Sequence, residues 1–354
     1  MKNINHKQLK ELIKVGYKKQ VPLFIWGSIG IGKSTAVKEL CKEIATDEKL
    51  EFSEDYDKDK FSFIDVRVSQ LEPSDLRGLP SMDGGITKWL PPSWLPSDEN
   101  SKGILFFDEL NLAVPSIQAS AYQLILDRRL GDYKLPKGWV IISAGNRLED
   151  KARVFELPSP LANRFIHIEL SVPSKDEWFD WATENNIDSR VMAFIQFKPS
   201  MLFKFETDNK DKAFATPRSW AFCSNLIDGE SKDDNLSILV SSAVGEGTAL
   251  EFLAFNRLQK KINIKDILKN PKKIAEIKEL DLKYSVISCL IEEYKKDKKI
   301  LNQITLLCEH LEPEFSILIL RFMKLSNPTH FKQHIIKCSN WKTLSEKYLK
   351  YLKD

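Results

Sequence analysis

The chain has 354 residues, of which 42% are hydrophobic and 29% charged, and its net charge at pH 7 is +3. This composition is typical of a globular protein of two or three domains, and a charge so close to neutral gives no indication of a nucleic-acid or membrane partner. No stretch approaches the length of a membrane span, and residues 1–10 lack the apolar core of a signal peptide. These two features predict a cytoplasmic protein. The five cysteines are scattered and odd in number, which predicts reduced thiols.

The first part of the chain alternates helical segments with apolar strands. A short helix is predicted at 9–17 and a longer one at 34–44. Runs of β-branched and aromatic residues predict five strands, at 21–26, 61–68, 103–107, 139–144 and 164–170. Near-continuous apolar strands that alternate with helices are typical of a parallel sheet with helices on both faces.

A glycine-rich stretch, Gly-Ser-Ile-Gly-Ile-Gly-Lys-Ser at 27–34, joins the first of these strands to the second helix. Its spacing is that of a phosphate-binding loop, G-x-x-x-x-G-K-S. Glycines let backbone N–H groups surround phosphate oxygens, and the N-terminus of the following helix adds partial positive charge. We expect Lys33 to contact the β- and γ-phosphates and Ser34 to bind Mg²⁺. The predicted nucleotide-binding residues are Gly27, Ser28, Ile29, Gly30, Ile31, Gly32, Lys33, Ser34 and Thr35.

Two carboxylates and an amide follow later strands. Asp108 and Glu109 come directly after the strand at 103–107, and Asn146 follows the strand at 139–144. The carboxyl ends of parallel strands meet at one edge of a sheet, beside the phosphate loop. We predict that Asp108 binds Mg²⁺, that Glu109 orients the attacking water, and that Asn146 hydrogen-bonds this water and the γ-phosphate. A solvated strand end and a turn asparagine are the structural alternatives.

Outside the predicted sheet the sequence carries different signals. Residues 80–96 contain Asp-Gly-Gly, an apolar run and a proline-rich stretch, which predict either a hairpin insertion or a rigid surface loop. Helical signals dominate from residue 172, where a capping box begins at Ser174 and a second helix start is predicted at Thr216 and Pro217. We predict a nucleotide-binding domain at 1–171, a helical lid at 172–260 and a lysine-rich helical extension at 261–354.

His330, His334 and Cys338 form a candidate metal site, because they are spaced i, i+4 and i+8 on a predicted helix. The H-x-x-x-H spacing is one that metal ligands use. Eight helical residues span about 12 Å, so the three side chains cannot all bind one ion at about 2 Å. A packed or solvated helix face is therefore the favoured interpretation.

The order of these motifs resembles that of a AAA+ ATPase. Residues 27–34 resemble the Walker A motif, Asp108 and Glu109 resemble Walker B, and Asn146 resembles the sensor 1 residue. The resemblance implies a five-stranded P-loop sheet in the order 5-1-4-3-2, Mg²⁺-dependent ATP hydrolysis and assembly into a ring that is usually hexameric.

Two arginines complete this resemblance. Arg164, in Leu-Ala-Asn-Arg-Phe, is similar to an arginine finger, and Arg218, in Thr-Pro-Arg-Ser, is similar to sensor 2. An aspartate usually precedes the finger arginine, whereas this chain has Asn163. The alternatives are an arginine paired with a carboxylate at the strand entrance for Arg164 and a helix-surface arginine for Arg218.

Within the superfamily, residues 73–78 and the hairpin after them resemble the MoxR-like branch, which carries a helix-2 insertion and is related to dynein and midasin AAA domains. The branch implies chaperone-like remodelling of a protein client, often with a partner that bears a von Willebrand factor A-like domain. The hairpin is then expected to reach the axial face of the ring or the partner.

The sequence leaves three alternative functions. A small-molecule kinase uses the same loop but excludes water, whereas Glu109 and Asn146 are predicted to position it. A nucleic-acid motor is disfavoured by the near-neutral charge, and a nucleotide-gated scaffold without turnover by the presence of Glu109. The sequence does not identify the client, the partner or the pathway.

Overall fold

A computed structural model describes residues 2–147, 155–205, 211–230 and 232–351 of the protein. The chain divides into two compact units, residues 1–172 and 173–354. Every strand assigned in the described part of the chain belongs to the first unit. The predicted start of the helical region, residue 172, lies one residue from this division.

A seven-stranded parallel sheet is the centre of the first unit. The strands of this unit are β1 (Asn3–Ile4), β2 (Leu23–Trp26), β3 (Phe52–Ser53), β4 (Phe61–Arg67), β5 (Leu79–Asp83), β6 (Ile86–Leu90), β7 (Lys102–Asp108), β8 (Arg129–Leu130), β9 (Tyr133–Lys134), β10 (Gly138–Gly145) and β11 (Ile166–Leu170). The sheet has the order β1-β11-β2-β10-β7-β4-β3, and the remaining strands form the antiparallel pairs β5-β6 and β8-β9.

The prediction of a five-stranded sheet is wrong in the number of strands. The two-residue strands β1 and β3 add one edge on each side, where β1 pairs with β11 and β3 pairs with β4. Between these edges, the strands predicted first to fifth along the chain lie in the order 5-1-4-3-2. Two residues are too few to show the apolar run or the alternation that identifies a strand in a sequence.

Helices cover both faces of this sheet, as predicted. They are α1 (His6–Lys19), α2 (Lys33–Asp47), α3 (Pro73–Arg77), α4 (Pro115–Asp127) and α5 (Ser159–Ala162). Successive strand residues point to opposite faces. Phe24, Leu105 and Phe107 share a core with residues of α4, and the intervening side chains of Ile25 and Phe106 on the opposite face are also fully buried.

The hairpin insertion runs from Leu79 to Leu90 as β5 and β6. Gly84 and Gly85 form its turn with φ of 59° and 81°, a left-handed conformation that favours glycine. Five large apolar side chains of the hairpin are exposed to solvent: Leu79, Met82, Ile86, Trp89 and Leu90. This segment is therefore a true hairpin with an apolar surface, rather than an irregular loop.

All regular secondary structure described in the second unit is helical. Its helices are α6 (Lys175–Glu184), α7 (Ser189–Phe197), α8 (Pro217–Ile227), α9 (Asp233–Val244), α10 (Glu246–Gln259), α11 (Ile264–Lys269), α12 (Leu280–Lys296), α13 (Leu301–Leu307), α14 (Pro313–Ser326), α15 (Pro328–Ile335) and α16 (Trp341–Tyr348). The predicted helix starts are confirmed, because capping boxes join Ser174 to Glu177 and Thr216 to Ser219.

One hydrophobic core extends from Trp178 to Tyr348 across the second unit. The predicted lid and the predicted C-terminal extension both contribute to it, so the boundary at residue 260 stays a prediction. No helix among the described residues combines the length and the apolar composition that a bilayer span requires.

Candidate nucleotide-binding and hydrolysis site

The predicted phosphate loop leads directly from β2 into α2. Gly30 and Gly32 have φ of 74° and 94°, which a residue with a side chain adopts only with strain. Gly27 is closely packed, since a Cβ atom there would lie 2.7 Å from Cδ1 of Ile31. Gly32 precedes α2 and has no side chain to cap it, so the backbone N–H groups of the first turn of α2 suit an anion. These features fit a nucleotide phosphate.

Lys33 is the first residue of α2 and is only 9% exposed. Its ammonium group donates hydrogen bonds to the carbonyl oxygens of Gly27 and Ser28, at 2.8 and 3.0 Å, and to Oδ1 of Asn146 at 3.0 Å. A buried ammonium group is costly unless it has such acceptors. The bond to Asn146 brings together two predicted site residues that lie 113 positions apart in the sequence.

Asn146 is itself held by a second asparagine. Asn111 is 1% exposed, and its Nδ2 donates to the backbone oxygen of Asn146 at 2.8 Å. Its Oδ1 accepts from the backbone N–H of Asn146 at 3.3 Å. Sequence reasoning missed Asn111, although a polar residue two positions after Glu109 at the end of a buried strand was an available signal.

Glu109 follows β7 in a left-handed backbone conformation, with φ of 57°. Such a conformation is unusual for a residue other than glycine and is often found at functional sites. Oε2 of Glu109 accepts a hydrogen bond of 2.7 Å from the hydroxyl of Ser69, and its backbone N–H donates to Oδ1 of Asp108 at 2.9 Å. The glutamate side chain is thus oriented by a neighbour that the sequence did not indicate.

Ser34 and Asp108 are the predicted Mg²⁺ ligands. Ser34 lies in the first turn of α2, Asp108 ends β7, and both are half-buried. A hydroxyl and a carboxylate fit Mg²⁺, which keeps several water ligands and prefers oxygen. Within the described ranges no group of three or more His, Cys, Asp or Glu residues could hold a metal ion. In α15, Nδ1 of His334 instead bonds to the carbonyl oxygen of His330 at 3.0 Å.

Asp65, on β4, is a third carboxylate close enough to interact with Asp108 and Glu109. Asp65 is exposed as a residue, but partial desolvation of its carboxyl group, and then the negative charge of Asp108, raise the pKa of Asp65 to about 6. Glu109 acts in the same direction, while Arg67 and Lys38 oppose it. Negative charge therefore accumulates where a cation is predicted to bind.

The two predicted arginines lie in different units. Arg164 is exposed, two residues before β11 begins, and lines a small cavity with Gln20 and Pro22. Arg218 is exposed at the second position of α8 in the second unit. Among the described residues, neither arginine forms an ion pair with a carboxylate.

Comparison with known proteins finds distant likenesses among solved structures. No family model and no curated protein matches the sequence. NtrX from Brucella abortus is 14% identical with a TM-score of 0.39, over 86% of this chain and 68% of the NtrX chain. The Holliday junction branch migration motor RuvB from Thermotoga maritima is 16% identical with a TM-score of 0.34, over 75% of each chain.

A Cytophaga hutchinsonii protein with a provisional description as an ATPase is 14% identical with a TM-score of 0.36, over 94% of this chain and 80% of that protein. NtrX has also been solved in complex with ATP and with ADP. Likenesses at this distance carry no argument about what this chain does.

Asn111→Ala tests whether Asn111 positions Asn146. The change leaves two buried backbone groups of Asn146 unsatisfied, so we expect a loss of about 1–3 kcal/mol in the free energy of unfolding. If Asn146 contacts the attacking water as predicted, kcat for nucleotide hydrolysis should also fall about tenfold or more with little change in KM. Urea denaturation and steady-state kinetics measure the two effects.

The matched control is Asn340→Ala. Asn340 is 8% exposed and its amide also donates to a backbone oxygen, that of Thr305, at 2.7 Å. This variant should lose stability without a comparable loss of kcat. Equal kinetic effects of the two variants would contradict a specific role for Asn111.

Asp65→Asn tests the raised pKa. The pKa of Asp65 is about 4 in the unfolded chain and about 6 in the folded chain. Between these two pH values the folded chain binds more protons than the unfolded chain, so its stability falls as the pH rises through this window. The asparagine removes that cost, and Tm should rise above that of the parent at about pH 8 but not at about pH 4. Solvent screens charge at this exposed side chain, so the gain will be small.

Scanning calorimetry at the two pH values measures the change, and Asp55→Asn, at an exposed position outside the site, is the control. A gain that is the same at both pH values would show that the raised pKa of Asp65 is not its cause.

Proposed function

We propose that this protein hydrolyses ATP in a Mg²⁺-dependent reaction as a ring-forming AAA+ ATPase of the MoxR-like branch, and that it remodels or activates a protein partner. The main observation in favour of this proposal is the hydrogen bond between Lys33 of the phosphate loop and Asn146 at the end of β10. It joins a phosphate-binding cation to a neutral amide at the edge of the sheet where the predicted catalytic carboxylates lie.

The strand register supports a single site at this edge. β10 lies between β2 and β7, and Gly145 pairs with Trp26, the residue just before the loop. Ser143 pairs with Phe107, so Glu109 follows β7 at about the level of Gly145. Loop, amide and carboxylates therefore emerge side by side at the carboxyl ends of adjacent strands, where parallel sheets bind ligands.

Nucleotide binding would fall to the loop and α2. The backbone N–H groups of residues 27–35 and the N-terminus of α2 suit the phosphates, and Lys33 can exchange its carbonyl acceptors for phosphate oxygens. Ser34 and Asp108 would hold Mg²⁺, which neutralises charge on the phosphates when bound. The choice of ATP over GTP follows from the family resemblance.

Hydrolysis would depend on Glu109 and Asn146. The carboxylate of Glu109 has one oxygen fixed by Ser69, which leaves the other to accept a proton from a water and orient it. The amide of Asn146 adds polar contacts without adding charge. A kinase needs a site that excludes water, so a fixed carboxylate and amide favour hydrolysis over transfer to an acceptor.

The position of Arg164 supports the proposal that the protein assembles into a ring. It precedes the N-terminal end of β11, whereas the phosphate loop lies level with the other end, where Glu169 pairs with Trp26. From Ile166 to Glu169 the strand rises about 10 Å. An exposed guanidinium so far from its own loop is suited to the nucleotide of a neighbouring subunit, where it would offset charge on the transferred phosphoryl group.

The remaining assignments are carried by the resemblance. Arg218, at the start of α8, would respond to the γ-phosphate as a sensor 2 residue. The exposed apolar side chains of the hairpin suit a contact with the protein partner, for which a von Willebrand factor A-like domain is the expected type.

Glu109→Gln should keep nucleotide binding and lose turnover. The amide preserves the shape of the side chain but is a far weaker base, so the rate of phosphate release should fall about a hundredfold or more. Phosphate release without any acceptor substrate and binding of a fluorescent ATP analogue measure the two properties, with Glu99→Gln as an exposed control. Hydrolysis within a few-fold of the parent would exclude Glu109 as the residue that orients water.

Mixing two inactive variants tests whether Arg164 acts as an arginine finger on the nucleotide of a neighbouring subunit. Arg164→Ala lacks the finger and Lys33→Ala lacks a working phosphate loop, so each should be nearly inactive alone. In mixed rings some junctions pair an intact loop with an intact arginine, and part of the ATPase activity should return, because such fingers contribute about a thousandfold or more in rate.

The control replaces the Lys33→Ala chain by one that carries both substitutions, which should restore nothing. Light scattering confirms that both mixtures assemble. If the first mixture assembles and stays inactive, Arg164 does not act across an interface.

A further inference from the structure

Two hydrogen bonds connect the strand that carries the phosphate loop to the segment that carries Arg164. The indole Nε1 of Trp26 lies 2.9 Å from Nδ1 of His167, and Nε2 of His167 lies 2.8 Å from the carbonyl oxygen of Ala162. An indole N–H can only donate, so Nδ1 must accept, and Nε2 carries the proton that is donated to Ala162. Both bonds therefore require one neutral tautomer of the imidazole.

At one end of this pair of hydrogen bonds, Ala162 lies two residues before Arg164. Ala162 is the last residue of α5, and its carbonyl oxygen also accepts the backbone N–H of Phe165 at 3.1 Å. The ring of Phe165 is 6% exposed and packs edge-to-face on Phe24, with 5.4 Å between centroids. Along the chain Arg164 thus lies between the anchored residues Ala162 and Phe165, while its own side chain is exposed.

The other end is fixed beside the phosphate loop. Trp26 is the last residue of β2 and directly precedes Gly27. Its ring packs on Phe24 with 4.3 Å between centroids and stacks near His167 at 6.1 Å. The imidazole is held on an aromatic platform and is not a mobile surface side chain.

We propose that His167, anchored by Trp26, is a positioning residue that holds the Ala162 carbonyl and thereby sets Arg164 for the nucleotide of the neighbouring subunit. This inference rests on the proposed function, since it needs Arg164 to act across an interface. Packing alone does not require a histidine here, because a half-buried aromatic or aliphatic side chain would also fill the space. What the imidazole adds is a pair of directed hydrogen bonds.

Three substitutions of His167 separate the hydrogen bonds from packing. His167→Phe keeps an aromatic ring and removes both bonds. His167→Asn can accept from Trp26 but is too short to reach Ala162. His167→Gln places an amide N–H near the position of Nε2 and can still donate to Ala162. Positioning through Ala162 predicts that the glutamine variant is the most active of the three, whereas a packing role predicts that the phenylalanine variant is.

The test uses mixed rings in which one chain supplies only the finger. The finger donor carries Lys33→Ala, and the acceptor carries Arg164→Ala and retains its phosphate loop. With His167→Phe or His167→Asn added to the donor, we expect the restored ATPase rate to fall about tenfold or more, since misplacing a catalytic group by about 1 Å can cost about a hundredfold. His167→Gln in the donor should cost about threefold or less.

The same substitutions are then moved to the acceptor chain, which has no finger to position. Here the restored rate should stay within about twofold of the reference mixture, because only the donor needs His167. Trp26→Phe in the donor, which removes the anchor but keeps a ring, should reproduce part of the loss caused by His167→Phe. Light scattering and Tm establish that every variant folds and assembles.

The positioning role would be overturned if the substitutions lowered the restored ATPase rate equally in the donor and in the acceptor. It would also be overturned if donors with His167→Phe gave a higher restored rate than donors with His167→Gln. Such a result would leave the finger itself intact, because the reference mixture of Lys33→Ala and Arg164→Ala would still be active. If that reference mixture assembles without activity, the finger proposal fails and this inference fails with it.

Discussion

The buried ammonium group of Lys33 determines the arrangement of the candidate site. A positive charge at the start of α2, shielded from water, must have acceptors close by. It finds them in two carbonyl oxygens of the loop and in the side chain of Asn146. Asn111 fixes Asn146 through its backbone. One cation therefore couples the phosphate loop to the ends of β10 and β7, and a phosphate oxygen, which is a stronger acceptor than a carbonyl, can take over its hydrogen bonds.

The direction of the parallel sheet separates the remaining groups. All strands of the sheet run the same way, so the loop, the carboxylates and Asn146 collect at their carboxyl ends. Arg164 precedes a strand and so lies at the opposite edge. Under the proposed function, this polarity is the reason that a subunit binds its nucleotide with its own loop and depends on a neighbour for the arginine.

Surface chemistry distinguishes the hairpin from the site. The site buries Lys33, Asn111 and Asn146, and each of these residues has hydrogen-bond partners that offset the cost of burial. The hairpin instead exposes large apolar side chains on two strands that, among the described residues, form a two-stranded sheet of their own. Exposed apolar patches of this kind commonly mark contact surfaces, which is consistent with a hairpin that contacts a protein partner.

The sequence by itself determined the elements whose signals are local. The phosphate loop, the five inner strands of the parallel sheet, the helix starts at Ser174 and Thr216 and the hairpin turn at Gly84 all depend on residues within a few positions of one another. Only the tertiary structure decided the rest. The two-residue edge strands exist because a neighbouring strand offers hydrogen-bonding groups, and the contacts of Asn111 with Asn146 and of Trp26 with His167 join residues 35 and 141 positions apart. Folding alone brings such residues into contact, and no pattern along the chain records which ones will meet.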